Sequence, residues 1–197
     1  MGHMLPLVVG AHRLVRKARA SGATAIVYDT TGLVAASQGG GALKRALIDL
    51  LRPTVVVALQ RGSELEHLLV PLRCSGRTRA VDREVARAVK RRGMEARHEH
   101  RAEQYRRTFQ AAHRLQVTWM GKAIIPRPSF SKHRLVALED DEGFVLALGI
   151  VTDWERESHV VELLSPLTSL VDVDTIHVGD VAVDPDTFRD RRIRANR

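Results

Sequence analysis

The chain has 197 residues, 44% of them apolar, which suffices for one ordinary domain or for one domain with a small appendage. No apolar run reaches about eighteen residues and no basic-then-apolar leader opens the chain, so neither a membrane span nor a secretory signal is visible and the cytoplasm is the expected compartment. Cys74 is the single cysteine, which excludes an internal disulfide and a zinc site built on paired cysteines.

The net charge of +8 is unevenly spread. Residues 1–134 carry 25 Lys and Arg against 9 Asp and Glu, whereas residues 135–197 carry 6 against 14. Two modules are expected, of which only the basic one faces a polyanion.

Taken in order, Leu7, Ala11, Leu14, Val15 and Ala18 recur at helical spacing before Ser21-Gly22, which predicts a helix over residues 6–20. Thr24–Tyr28 is a short apolar run rich in β-formers, and Thr54–Leu59 after Pro53 is another; both read as strands. Between them Leu43, Leu47, Leu50 and Leu51 place a helix after the run Gly39–Gly41. Helix, strand, helix, strand, with strands too apolar to have a wet face, reads as part of a parallel α/β sheet. From Arg73 to Arg107, 12 of 35 residues are Lys or Arg and 5 are acidic. Arg83, Arg87 and Arg91 are spaced four apart, which predicts helix, with an interruption at Gly93. Beyond Pro126 and Pro128 the pattern becomes short strands at 135–138, 144–151, 160–164 and 176–183, the first two joined by a hairpin turn over Asp140–Gly143.

Asp29-Thr30-Thr31-Gly32 closes the first predicted strand. An aspartate there can reach a magnesium ion through water, and the glycine lets backbone approach a phosphate; the same pattern also makes an ordinary turn. The loop G-x-x-x-x-G-K-[ST], whose backbone amides and lysine neutralise transferring phosphates, does not occur: Gly121-Lys122 has Gln116 in place of the first glycine and Ala123 in place of the hydroxyl. Gly39–Gly41 leads into the helix bearing Lys44 and Arg45, either as a flexible loop or as a phosphate-holding helix start. In the arginine segment acidic residues are too few to compensate, so a polyanion contact through Arg83, Arg87 and Arg91, together with Lys44, is expected. His98 and His100 lack a third ligand and are not read as a metal site.

Together these stretches resemble the polynucleotide 5′-hydroxyl kinases of the Clp and Grc type. The likeness runs through Gly2–Gly10, the helix Arg13–Ala18, Val27–Val34, Leu43–Pro53, Val57–Arg61 and Glu64–His67. It continues in a lid-like stretch with Arg92, Glu95-Ala96-Arg97, Arg101, Tyr105-Arg106 and Phe109, and in Asp141–Phe144, Leu148–Val151 and Leu164–Leu167. The resemblance implies a partial P-loop kinase domain over residues 1–125, with a lid over about 73–113, followed by a small β domain over 126–197. It implies transfer of the γ-phosphate of ATP, with Mg2+, to the 5′-hydroxyl end of RNA or DNA. Asp29 is then the metal-organising and catalytic carboxylate, Thr30, Thr31 and Gly32 face the nucleotide, and Arg97, Arg101 and Arg106 stabilise the transferring phosphoryl group.

Two departures qualify the resemblance. In the family the phosphate loop precedes the point matched by Met1, so the chain alone is expected to bind neither ATP nor metal tightly and to need that amino-terminal segment as a partner. Leu33 stands where some members have a tryptophan that stacks on a terminal base. The alternatives are a non-catalytic nucleic-acid-binding module and an interaction subunit acting through its acidic β domain.

Overall fold

The computed structural model describes residues 4–89 and 93–193. Arg91 and Arg92, singled out above, lie outside the described residues, as do Gly2 and His3. The chain divides into two units, Met1–Lys90 and Arg91–Arg197.

In the first unit, helix α1 spans Met4–Ala20 and α2 spans Gly40–Leu51. Pro6 sits in the first turn of α1, where its missing N–H costs nothing. Gly22, at φ 85°, closes the other end, its N–H bonded to the Arg19 carbonyl. Ala11 of α1 packs on Leu43 and Leu47 of α2, with Leu7, Val8, Tyr28 and Leu33 around them. Strand β1 (Val55–Gln60) pairs in parallel with β2 (Arg79–Glu84) across α3 (Glu66–Ser75).

The two helices and β1 thus form where expected, but two other expectations are corrected. Thr24–Tyr28 is not a strand: Val27 is 96% exposed, and among the described residues the segment pairs with nothing. A strand exists only through its ladder, and here β1 finds β2 as its partner instead. Arg83 and Arg87 are not on a helix either. Arg83 lies in β2 and Arg87 in the turn after it. Ala80 and Val81 pair with Val56 and Val57 of β1, and that pairing outweighs the four-residue arginine spacing.

Val55, Val57 and Leu59 alternate along β1 and are 42%, 60% and 63% exposed. Parallel sheets ordinarily bury both faces, so this face is open where its fold class would cover it.

The second unit opens with α4 (Met94–Thr108), for which Gly93 is the N-cap, consistent with the break expected there. A seven-stranded sheet follows: β3 (His113–Thr118), β4 (Ala123–Ile125), β5 (Arg134–Glu139), β6 (Val145–Glu155), β7 (Val160–Ser165), β8 (Thr175–Val183) and β9 (Asp190–Arg192). The order is β3-β7-β6-β5-β8-β4, with β9 also on β8; only β4 runs parallel to its neighbour. The turn at Asp140–Gly143 forms as expected, with Gly143 at φ 78° and the Asp140 carboxylate accepting from the Phe144 N–H at 2.7 Å. One sheet face is covered by a core of Val117, Val136, Leu138, Leu163 and Ile176. The other carries Ile150 and Val183 against Phe109, just past the end of α4.

Candidate functional site

At the amino end of α2 the backbone of residues 33–34 lies close against the helix start. Gly39 adopts φ 77°, a left-handed conformation that suits glycine. A Cβ on Gly40 would stand 2.6 Å from the Leu33 carbonyl oxygen, so only hydrogen lets segment 29–34 lie on the helix start. A Cβ on Gly41 would stand 3.3 Å from His67 Nε2, which brings the start of α3 to the same place.

Lys44, one turn into α2, is buried, and its Nζ donates to the carbonyl of Thr31. Burial pulls its ammonium below the ordinary lysine range, while the nearby Asp29 carboxylate acts in the opposite direction. Asp29, Thr31 and Lys44 are therefore brought together, with Thr30 and Gly32 exposed beside them. Lys44 lies inside the unit, fastening the Asp29–Gly32 segment to α2. Open space surrounds Gly32: nothing lies within 4 Å of where its Cβ would be.

Asp29 alone is not a metal centre. Among the described residues no group of three or more His, Cys, Asp or Glu is placed to hold an ion. An exposed carboxylate at a loop does fit magnesium as an outer ligand once phosphates and waters supply the remaining oxygens.

At the carboxyl ends of β1 and β2 lies a polar network that sequence reasoning did not find. Buried Gln60 donates to Glu66 at 2.9 Å and to Asp82 at 2.8 Å, and accepts from the Leu65 N–H at 3.1 Å. Arg73 completes it, 2.8 Å from Glu66. The hydrogen bond from Gln60, then that from Arg73, hold the Glu66 carboxyl below its usual range. Open α/β sheets bind ligands at this end of their strands. The signal in the sequence is a lone glutamine closing an apolar strand.

The second unit holds the three lid arginines, and α4 does not gather them on one side. Arg97 and Arg101 are separated by about 40° around the helix, whereas Arg106 is about 140° from Arg101. The Arg97 side chain is exposed and makes no ion pair among the described residues. Arg101 Nε donates to both Asp190 oxygens at 3.1 Å, and its NH2 lies 3.0 Å from His98 Nδ1. Arg106 is paired with Glu103 and sits 5.8 Å above the Phe188 ring. Of the arginines expected on the polyanion, Arg83 is exposed and donates to its neighbour's carbonyl at Asp82, and Arg87 is exposed in its turn.

The profile of the family described as mRNA cleavage and polyadenylation factor CLP1 P-loop matches residues 3–111, more than half of the chain. The chain belongs to this family. Among its relatives, the polyribonucleotide 5′-hydroxyl-kinase of Methanocaldococcus jannaschii is 23% identical over 81% of this chain and 59% of the relative, so the chain spans about three fifths of that protein's length. Two solved Clp1p–Pcf11p complexes have the same fold over 72% of this chain and 42% of theirs, with a TM-score of 0.53 and 10% identity in each case. One is described as the wild-type complex, the other as an extended Pcf11p–Clp1p interface with the structural basis for ATP loss in a point mutant. The matched region contains no G-x-x-x-x-G-K-[ST] sequence.

Proposed function

We propose that this chain is the carboxy-terminal part of an ATP-dependent polynucleotide 5′-hydroxyl kinase, inactive alone and completed by a segment that carries the phosphate loop. The observation that carries this reading is the open face of β1 within the family-matched region. Val55, Val57 and Leu59 stand exposed on a parallel strand whose fold class buries both faces, so this sheet is built to be covered. The phosphate-loop segment is the cover a kinase of this family requires. Asp29 then organises Mg2+ and Thr30, Thr31 and Gly32 line the nucleotide, on a segment that Lys44 fastens to α2. Arg97, Arg101 and Arg106 serve the transferring phosphoryl group, and Arg83 and Arg87 contact the polynucleotide. The kinase domain extends through residue 125, and the protein works in the cytoplasm.

The experiment is a calorimetric titration of the isolated chain with ATP and magnesium. Lys44 is committed to Thr31 and Lys122 lies in no phosphate-loop context, so no tight binding is expected. Tight, magnesium-dependent binding would show that this chain holds the nucleotide by other means and would overturn the reading of an incomplete site.

A further inference from the structure

Both of the chain's tryptophans lie on one cleft of about 350 Å³ in the second unit, at the end where β3, β7 and β6 stop. Trp119 follows β3, and its backbone N–H donates to the His159 carbonyl at 2.9 Å, which fixes the two residues side by side. Their rings meet edge to face at 5.7 Å, and Phe130 lies against Trp119 at 4.9 Å. Trp154 arrives from β6, where a break in register between Val151 and Asp153 resets the alternation just before it. Arg156 completes the rim from the β6–β7 turn.

Core packing accounts for Trp119 and Phe130, which are 8% and 9% exposed. It does not account for Trp154, a large aromatic left 41% exposed on the same cleft, beside an arginine with no ion pair among the described residues. Nor does average surface chemistry. Residues 135–197 carry 14 acidic residues against 6 basic ones, and another cleft of this unit is lined by Asp140, Asp141, Asp172 and Asp174. Yet no carboxylate lines the tryptophan cleft, and the adjacent Glu155 is turned onto Ser158 at 2.6 Å. The Nδ1 of His159 is buried without a hydrogen bond among the described residues, while its ring packs edge to face on Trp119.

An aromatic face beside a guanidinium that has no ion pair among the described residues, in a cleft whose lining holds no carboxylate although exposed Asp153, Glu155 and Glu157 flank it in the chain, is the chemistry that takes an unpaired base and its backbone. We infer that this cleft binds a nucleobase of a single-stranded polynucleotide, with Trp154 as the stacking surface and Arg156 on the adjoining phosphate. The inference rests on the polynucleotide substrate proposed above. It places base stacking in the β unit.

The test uses the whole chain, a short fluorescein-labelled oligouridylate and an abasic oligomer of equal length, read by anisotropy. Intrinsic tryptophan fluorescence reports on the cleft itself, since both fluorophores line it. The oligouridylate should quench that fluorescence and the abasic oligomer should not. Trp154→Ala should weaken oligouridylate binding about 5- to 100-fold with no effect on the abasic oligomer. Arg156→Ala should reduce the log–log salt slope by about 0.7. Trp154 and Arg156 are exposed, so both variants should keep the wild-type circular dichroism. Wild-type affinity in Trp154→Ala would remove the cleft and leave the polynucleotide reading standing. Absence of binding to either oligomer by the wild type would sink both. Displacement by uridine monophosphate at the concentration at which the oligomer itself binds would assign the cleft to a mononucleotide and overturn the inference.

Discussion

In the kinase completed with its phosphate-loop segment, Arg97→Ala should lower kcat by about a thousandfold or more while the KM for a 5′-hydroxyl oligonucleotide changes little. The reason is availability. A guanidinium serves a transferring phosphoryl group only if it can leave whatever it already holds. Arg97 is exposed on α4 and holds nothing among the described residues. Arg101 is held by Asp190, whose side chain is 17% exposed, and Arg106 by Glu103, so each must exchange a carboxylate for phosphate oxygens. Their replacement by alanine should therefore cost less turnover than the loss of Arg97. Arg101→Ala should also loosen the tie between α4 and β9, visible as faster amide exchange in both elements. A loss of under tenfold for Arg97→Ala, with a larger loss for Arg106→Ala, would reverse this order and give the transition state to the other side of the helix.

Gly40→Ala is expected to destabilise the first unit by about 1 to 3 kcal/mol, although glycine to alanine within a helix ordinarily stabilises by about 1 kcal/mol. The new methyl group would sit 2.6 Å from the Leu33 oxygen and 2.8 Å from the Val34 carbonyl carbon, which are backbone atoms that no rotamer change can move. Segment 29–34 must then lift from α2, and Asp29 and Thr31 lift with it. Turnover of the completed kinase should fall in the same variant. Gly32→Ala is the control, because nothing lies within 4 Å of its Cβ position. It should unfold at the wild-type denaturant concentration, and any fall in its turnover would then report the approach of a phosphate rather than damage to the fold. Equal stability of Gly40→Ala and wild type would show that the segment does not rest on the helix start.

What the sequence revealed follows from how locally each element is determined. Helices α1 and α2 are readable because an apolar stripe every three to four residues needs only one partner, and each supplies the other's. In the second unit β5, β6 and β7 are readable because successive antiparallel neighbours are joined by short turns such as Asp140–Gly143, where the chemistry of the turn is itself local, and β8 is readable from its apolar run. Strands β3, β4 and β9 are not anticipated, since each exists only through a partner distant in the chain or is too short to show a pattern. Thr24–Tyr28 has strand composition without a strand's partner, and composition carries no information about pairing. The arginines at 83 and 87 mislead for a related reason: their spacing suits a helix, but Val81 pairs with Val57, 24 positions earlier in the chain.

The candidate site divides in the same way. Asp29–Gly32 and Lys44 are legible as types in a pattern, but the contact between Lys44 and the Thr31 carbonyl is not, since it depends on where Gly40 lets the loop lie. The pairing of Arg101 with Asp190 spans 89 positions, and Gln60 meets Asp82 across 22. No periodicity in the chain encodes either contact.

The most direct test is transfer of labelled γ-phosphate from ATP to an oligonucleotide with a 5′-hydroxyl end, measured for this chain alone and for the same chain joined to a family phosphate-loop segment. Background alone and magnesium-dependent, end-specific transfer when joined is the expected pair of results, with Asp29→Ala lowering turnover more than oligonucleotide binding. A joined protein that folds, buries the Val55, Val57 and Leu59 face and still leaves the 5′-hydroxyl unphosphorylated would contradict the kinase reading.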